Sequence, residues 1–305
     1  MARVWALLLL ALPAAEERAI AYLSREVPAW SRDNHCFSCH NNGDGARALY
    51  AARRQGYRVA PEVFSDTAAW LVRPRDWDVN RGDPRFSDNR FSDKKLARIQ
   101  FSATLAEAFE AGLVRDRKRL IEAATALAAY QQPDGSWQVD QETTVGSPVT
   151  WGTTLATHMS RRTLATADAR RFAEPIGRAQ RWLAAAPAAN LVDAAAAVLA
   201  LGDRRQDGVE RILRGQTSDG GWGPHLGTPA EVFDTALALL ALASLGGRAE
   251  FGQPIARGRQ YLVRTQLPSG AWQETTRPAG AQSYAQHIST TGWALLALAS
   301  TNRKR

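Results

Sequence analysis

The sequence predicts an all-α protein made of about six copies of one helical hairpin, each of roughly 45 residues. Three observations predict it. The text RILRGQTSDGGW (Arg211–Trp222) followed by FDTALALLALASLG recurs as AAYQQPDGSW (Ala128–Trp137) followed by SPVTWGTTLATHMS, and as YLVRTQLPSGAW (Tyr261–Trp272) followed by TTGWALLALAS. In the last copy the arm before the turn is amphipathic, with Arg257, Arg259 and Arg264 among its apolar residues, whereas the arm after it is apolar almost all round. A helix apolar on every face has to be buried on every face. The composition, 45% hydrophobic and 22% charged over 305 residues, suits one large globular domain and indicates neither disorder nor membrane residence.

In chain order, residues 1–15, MARVWALLLLALPAA, carry one basic residue, a short apolar core and small residues ahead of Glu16 and Glu17. That is the pattern of a cleavable secretory signal, with cleavage expected after Ala14 or Ala15, and it predicts export, to a periplasm in a bacterium. No cysteine stands at the junction to suggest a lipid anchor, and the apolar core is too short to span a bilayer. Residues 16–305 then form one repeat domain. Arg18–Tyr50 opens as RAIAYLSREVPAW, a weak first copy. Pro61–Leu113 fits a second copy interrupted at 73–94 by RPRDWDVNRGDPRFSDNRFSDK, a polar insert without periodicity. Within it Asp76, Asp78 and Asn80 resemble a calcium loop, but Gly82 is one place late and no glutamate closes it, so an ordinary polar loop with Ser92 or Asp93 capping the next helix is expected.

Residues 115–300 hold the clearest copies. Arg178–Leu201 has two helices without the Gly/Trp turn. Thr228-Pro229-Ala230-Glu231 reads as an N-cap, first-turn proline and N3 glutamate for a helix ending at Gly246-Gly247, and Ser147-Pro148 reads as a similar start. The last inner arm is expected over Thr290–Ser300.

The formal charge is +8. Its basic residues are spread along the amphipathic arms and the tail Arg303-Lys304-Arg305, without a compact basic run interleaved with aromatics. Solvated helix faces follow, with contact to a membrane surface left open; a nucleic-acid interface and a transmembrane segment do not.

The sharpest chemistry lies at Asn34-His35-Cys36-Phe37-Ser38-Cys39-His40. Cys36 and Cys39 are the only cysteines, and Cys-x-x-Cys-His is the attachment pattern of c-type haem. Two thiols three positions apart can each add to a haem vinyl group, and the next imidazole then lies under the iron as its proximal ligand. Rival readings are a zinc site using Cys36, Cys39, His40 and a distant histidine, a Cys36–Cys39 redox disulfide, for which no preceding strand is evident, and two structural thiols, which an oxidising compartment disfavours.

The turns QQPDGSW, QTSDGGW and QLPSGAW, each between a helix of the YLVRTQ kind and one of the DTALALLAL kind, resemble the QW motifs of squalene-hopene cyclases and the repeats of protein prenyltransferases. The resemblance covers residues 115–300 well and the first hundred residues poorly. It implies an α/α toroid: an inner ring of apolar helices, an outer ring of amphipathic ones, closed by six hairpins. All outer-to-inner turns would then share one rim. Cys36–His40 falls there, as do His225 and His287, and in a closed ring the last hairpin adjoins the first. His287 is therefore the candidate second axial haem ligand, or a zinc ligand. His158 and Met159 lie about 15 Å below the rim.

For catalysis the resemblance implies an Asp-x-Asp-Asp motif leading into Thr-Ala. The acid of that motif is its central aspartate; here Glu231-Val-Phe-Asp234-Thr235-Ala236 keeps only the last aspartate and has Phe233 where the acid should stand, which leaves Asp234 as a weak candidate, with a cap or helix-dipole partner as its plainer role. His287 stands where prenyltransferases have a zinc-ligating histidine, but the aspartate and cysteine of that site are missing. Three functions remain: an exported toroid with covalent haem c serving electron transfer with a redox partner protein; a terpenoid cyclase or prenyltransferase-like enzyme with an apolar throat lined by Trp151 and Trp293; and a non-catalytic binder of a hydrophobic ligand.

Overall fold

Helices alternate between two concentric rings. The computed structural model describes residues 14–79, 93–140, 144–277, 280 and 282–302, and among these the hairpins pair α1 (Ala15–Asn34) with α2 (Ala46–Arg54), α3 (Ser65–Leu71) with α4 (Asp93–Glu110), α5 (Arg117–Ala128) with α6 (Thr153–Asp168), α7 (Ala173–Ala185) with α8 (Leu191–Leu201), α9 (Gln206–Gly215) with α10 (Val232–Ser244), and α11 (Ala249–Thr265) with α12 (Tyr284–Ser300). Each even-numbered helix packs on the next, and α12 returns to α2. The protein is an α/α toroid, all-helical apart from isolated bridges in its turns.

Burial follows the sequence pattern. In the inner ring, α8 buries Leu191, Val192 and every residue from Ala194 to Val198, and α12 buries a continuous run from Ile288 to Ala299. The outer helices bury a single stripe, such as Ala179 and Leu183 on α7, or Gly208, Val209 and Ile212 on α9. Spacings of three and four residues put each stripe on one face.

The repeated turns lock the rings together. Trp137, Trp222 and Trp272 are fully buried. Their indole Nε1 atoms donate to the carbonyls of Leu127, Ile212 and Leu262 at 2.8, 2.6 and 2.7 Å. Gln131, Gln216 and Gln266 each donate to their own turn and to the next outer helix, reaching Pro175 at 2.9 Å, Pro254 at 2.9 Å and, across the ring seam, Ala15 at 2.9 Å. The last repeat thus grips the first helix as each repeat grips its successor.

Three helix starts differ from expectation. α10 begins at Val232, because Glu231 N donates to Trp222 O at 2.8 Å and holds the preceding chain extended, while Thr228 closes a turn on His225. α6 begins at Thr153, where Asp140 Oδ1 accepts from the Thr153 amide at 3.2 Å, whereas Ser147 folds into a turn with Thr150 and Trp151. α12 starts at Tyr284 rather than Thr290, capped by Ser283. Residues 1–13 of the expected secretory signal, 80–92 of the insert and the tail 303–305 lie outside the described residues.

Candidate functional site

The turn between α1 and α2 sits on the rim, as the repeat register requires. Ser38 has extended backbone, and its Oγ accepts from the amides of His40 at 3.1 Å and Asn41 at 3.3 Å, starting a π-helical turn over Cys39–Gly45. Asn42 Oδ1 accepts from Ser38 N at 3.0 Å, while its Nδ2 donates to Thr67 at 2.8 Å. Asn41 Nδ2 donates to Glu26 O at 3.0 Å and Tyr284 Oη at 2.9 Å. The motif is pinned from both sides, with Cys36, Cys39 and His40 half-buried at the surface of the rim.

Below it runs a chain of hydrogen bonds. Ser289 Oγ of α12 donates to Asp44 Oδ2 at 2.8 Å, and His40 Nδ1 lies 3.2 Å from the same Oγ. With Asp44 ionised, Ser289 spends its one hydrogen there, so it accepts from Nδ1–H of His40. Nε2 is then the nitrogen with the lone pair, and Cys39 Sγ lies 3.5 Å from it. Burial lowers the pKa of His40 to about 4, so the imidazole is neutral at pH 7. Burial also raises Asp44 to about 6, against the pull of Arg47.

Asp44 connects the rim to the throat. Its Oδ2 faces Trp151 Nε1 at 3.4 Å, and its Oδ1 faces Arg47 Nη2 at 3.4 Å. Trp151 precedes α6, Arg47 lies on α2, Phe233 on α10 and Trp293 on α12; elements so placed meet only inside the ring. Trp293 stands edge-to-face with Trp151 at 5.8 Å and with Phe233 at 5.6 Å between centroids. The Arg47 guanidinium lies 4.2 Å from the Trp293 centroid and 5.2 Å from that of Trp151. The expected apolar throat is therefore aromatic and also cationic. Trp151 has φ of +64°, a conformation that costs a bulky residue roughly 1–3 kcal/mol and that collects at functional sites.

Asp234, in the first turn of α10, is fully buried. Arg277, in the connection before α12, pairs with Asp234 Oδ2, with Glu231 at 3.0 Å and with the carbonyl of Gly146 before α6. It thus ties the start of α10 to the segment before α6, and its guanidinium also lies 5.8 Å from the Phe233 centroid. Asp234 Oδ1 is buried with no hydrogen-bond partner. Desolvation raises Asp234 to about 7, although Arg277 pulls the other way.

The remaining predicted residues are dispersed. His287 lies inside α12, with Nδ1 3.2 Å from Glu274 Oε2 and its ring edge-on to Tyr22. The α12 residue that meets His40 is Ser289. His225 is exposed in the connection before α10. His158 and Met159 are buried in α6, and burial with nearby arginines lowers His158 to about 3. Asp76 and Asp78 of the calcium-like stretch pair with Arg73 at 3.4 Å and Arg98 at 2.5 Å; Asn80 and Gly82 fall outside the described residues. Among the described residues no three His, Cys, Asp or Glu side chains converge on a metal-sized site, and no helix is long and apolar enough to cross a membrane.

Sequence reasoning passed over Asp44, Arg47, Ser289 and Arg277. A signal existed for Arg47, a lone charge in the inner-ring text ARALYAA. None existed for Ser289, whose partners are remote in the chain.

No family model matches the chain. A stretch of 65 residues is 42% identical to a drimenyl diphosphate synthase of Streptomyces showdoensis, covering 21% of this chain and 12% of that protein. Another of 81 residues is 33% identical to a drimenyl diphosphate synthase of Streptantibioticus cattleyicolor, covering 27% of this chain and 15% of that protein. The type II terpene cyclase MstE from Scytonema superposes with a TM-score of 0.60 at 14% identity over 93% of this chain and 96% of its own. It has also been solved with geranylgeranyl dihydroxybenzoate, in a form that matches with a TM-score of 0.58 at 15% identity. A glycosidase in complex with glucose superposes with a TM-score of 0.58 at 13% identity, over 93% of this chain and 97% of its own. The shared property is the fold, and it serves unrelated chemistries.

Proposed function

We propose that this chain is a terpenoid-cyclase-like enzyme that protonates an isoprenoid alkene in its throat, with Asp234 as the acid. The observation that carries the reading is a fully buried carboxyl with its pKa at about 7, one oxygen held by Arg277 and the other without a partner. It opens α10, next to Phe233 and the aromatic wall. A type II terpene cyclase of the same fold holds a geranylgeranyl compound, and the local identity to drimenyl diphosphate synthases points the same way.

The chemistry follows from these groups. The O–H of protonated Asp234 adds its proton to the end of a carbon–carbon double bond, leaving a carboxylate and a carbocation. The faces of Trp151, Phe233 and Trp293 suit a cation, since each already receives a guanidinium. A nearby double bond traps the cation by ring closure, and loss of a proton ends the sequence. Arg277 must move off Asp234 to admit substrate. Its departure also removes the charge that lowers the Asp234 pKa, so admission loads the acid with its proton.

Incubation of the purified chain with farnesyl diphosphate, geranylgeranyl diphosphate and squalene, followed by mass spectrometry of extracts, tests this. Cyclised product that disappears in Asp234→Asn supports the reading. Binding of these compounds without turnover overturns the catalytic claim in favour of a hydrophobic-ligand binder, and neither binding nor turnover overturns it altogether.

A further inference from the structure

The throat chemistry makes no use of the rim turn between α1 and α2. We propose that Cys36 and Cys39 hold a haem covalently, that His40 Nε2 is its proximal iron ligand, and that Ser289 and Asp44 position that imidazole.

Donor chemistry argues for haem over the rival zinc. Zinc asks for about four protein donors, and among the described residues no three converge. A haem brings four nitrogens of its own and asks for one neutral imidazole with a defined tautomer. His40 is such an imidazole: the path Nδ1–H to Ser289 Oγ and Ser289 Oγ–H to Asp44, at 3.2 and 2.8 Å, leaves the lone pair on Nε2, which lies 3.5 Å from Cys39 Sγ. A hydrogen-bonded carboxylate behind a ligating histidine is the usual way of fixing its ring and raising its basicity. Ring closure supplies it here, because Ser289 comes from the last inner helix and His40 from the first hairpin. The two thiols and the imidazole lie half-buried on the rim, where a planar group can dock from outside. Beside them Phe37 stacks on Trp70 at 4.6 Å between centroids, an apolar flank for a porphyrin edge.

Attachment balances without an oxidant. Each S–H adds across one vinyl group: a sulfur–carbon bond forms at the inner carbon, the hydrogen goes to the terminal carbon, and the vinyl π bond is consumed. A haem held by these residues would supply single-electron exchange with a redox partner protein. Such attachment goes with export, in keeping with the secretory pattern of residues 1–15.

The test expresses the full chain, with its N-terminal segment, beside a cytochrome c maturation system. Haem staining of a denaturing gel and the spectrum of the reduced protein are then recorded. Haem that survives denaturation, with a band shift in Cys36→Ala or Cys39→Ala and loss of covalent haem in the double variant, is the expected result. A chain that is helical by circular dichroism yet colourless, with or without zinc on metal analysis, overturns the proposal. Ser289→Ala should keep its covalent haem, since both thiols remain, but show a raised reduction potential because the carboxylate no longer reinforces the imidazole; Ser289→Thr should restore it. An unchanged potential in Ser289→Ala overturns the positioning role. Asp234→Asn should leave every haem readout intact, so failure here and failure of the cyclase reading are separate events.

Discussion

Asp44, Asp234, His40 and His158 titrate out of their ordinary order. In an unfolded chain between about pH 4 and 6.5 the carboxyls are ionised and the imidazoles protonated. In the folded chain Asp44 and Asp234 keep their protons up to about 6 and about 7, while His40 and His158 have lost theirs above about 4 and about 3. A raised carboxyl contributes stability that is lost as pH rises through its folded pKa, and a lowered imidazole contributes the opposite. Two of each nearly cancel, so these groups leave stability flat across that window. Asp234→Asn removes a proton that the folded state retains, and urea unfolding midpoints of this variant should then rise with pH up to about 6.5. His158→Phe should show the reverse slope. His287→Ala should leave the spectrum of the haem-loaded chain unchanged, because His287 is held by Glu274 and Tyr22 and the α12 residue that meets His40 is Ser289. Asp234 was visible in the sequence as the aspartate left in EVFDTA. Its environment was not, because Arg277 reaches it only across a loop, and the desolvation that sets its pKa comes from helices far away in the chain.

The turns that join the two rings were the most legible elements. Their Gln, Gly and Trp recur at fixed spacing because the joint needs all three. The indole ties off a carbonyl, the glutamine bridges to the next outer helix, and the glycine lets that helix approach. Gly135, Gly220 and Gly270 have φ of +102°, +91° and +93°. A Cβ would stand 2.6 Å from Arg178 O at Gly135 and 2.8 Å from Arg257 O at Gly220, and would run into Arg18 O at Gly270. Gly112 has a positive φ but nothing within 4 Å of an added Cβ. Gly112→Ala should therefore cost about 1 kcal/mol of backbone strain, and Gly270→Ala about 3 kcal/mol or more, read from denaturant midpoints at constant slope. Helix starts were less legible. Thr228 and Ser147 look like caps by residue type, but side chains of that type also close turns, and the pairing of Glu231 with Trp222 decided between the two at Thr228.

At the scale of the molecule, stability depends on a seam between the ends of the chain. Gln266 meets Ala15 O and Arg18, and Arg259 pairs at 2.7 Å with Glu16, which is almost wholly buried. Arg259→Ala strands that carboxylate and should cost about 3 kcal/mol, with hydrogen exchange rising first in α1. Gln131→Ala should instead loosen α7, because it severs the same joint inside the ring. The hairpins and their approximate number, the buried arm of each, the places of the Gly/Trp turns and the thiol–imidazole motif of the first turn are all legible in the chain read alone. These are local properties: periodicity, composition and spacing report what a segment needs, whatever it packs against. Folding alone closes the ring, sets Ser289 and Asp44 behind His40, lays Arg47 over Trp293 and Trp151, and pairs Arg277 with Asp234. Each of those contacts joins residues 43 to 251 positions apart, and what brings them together is burial of the inner ring, which no single segment encodes.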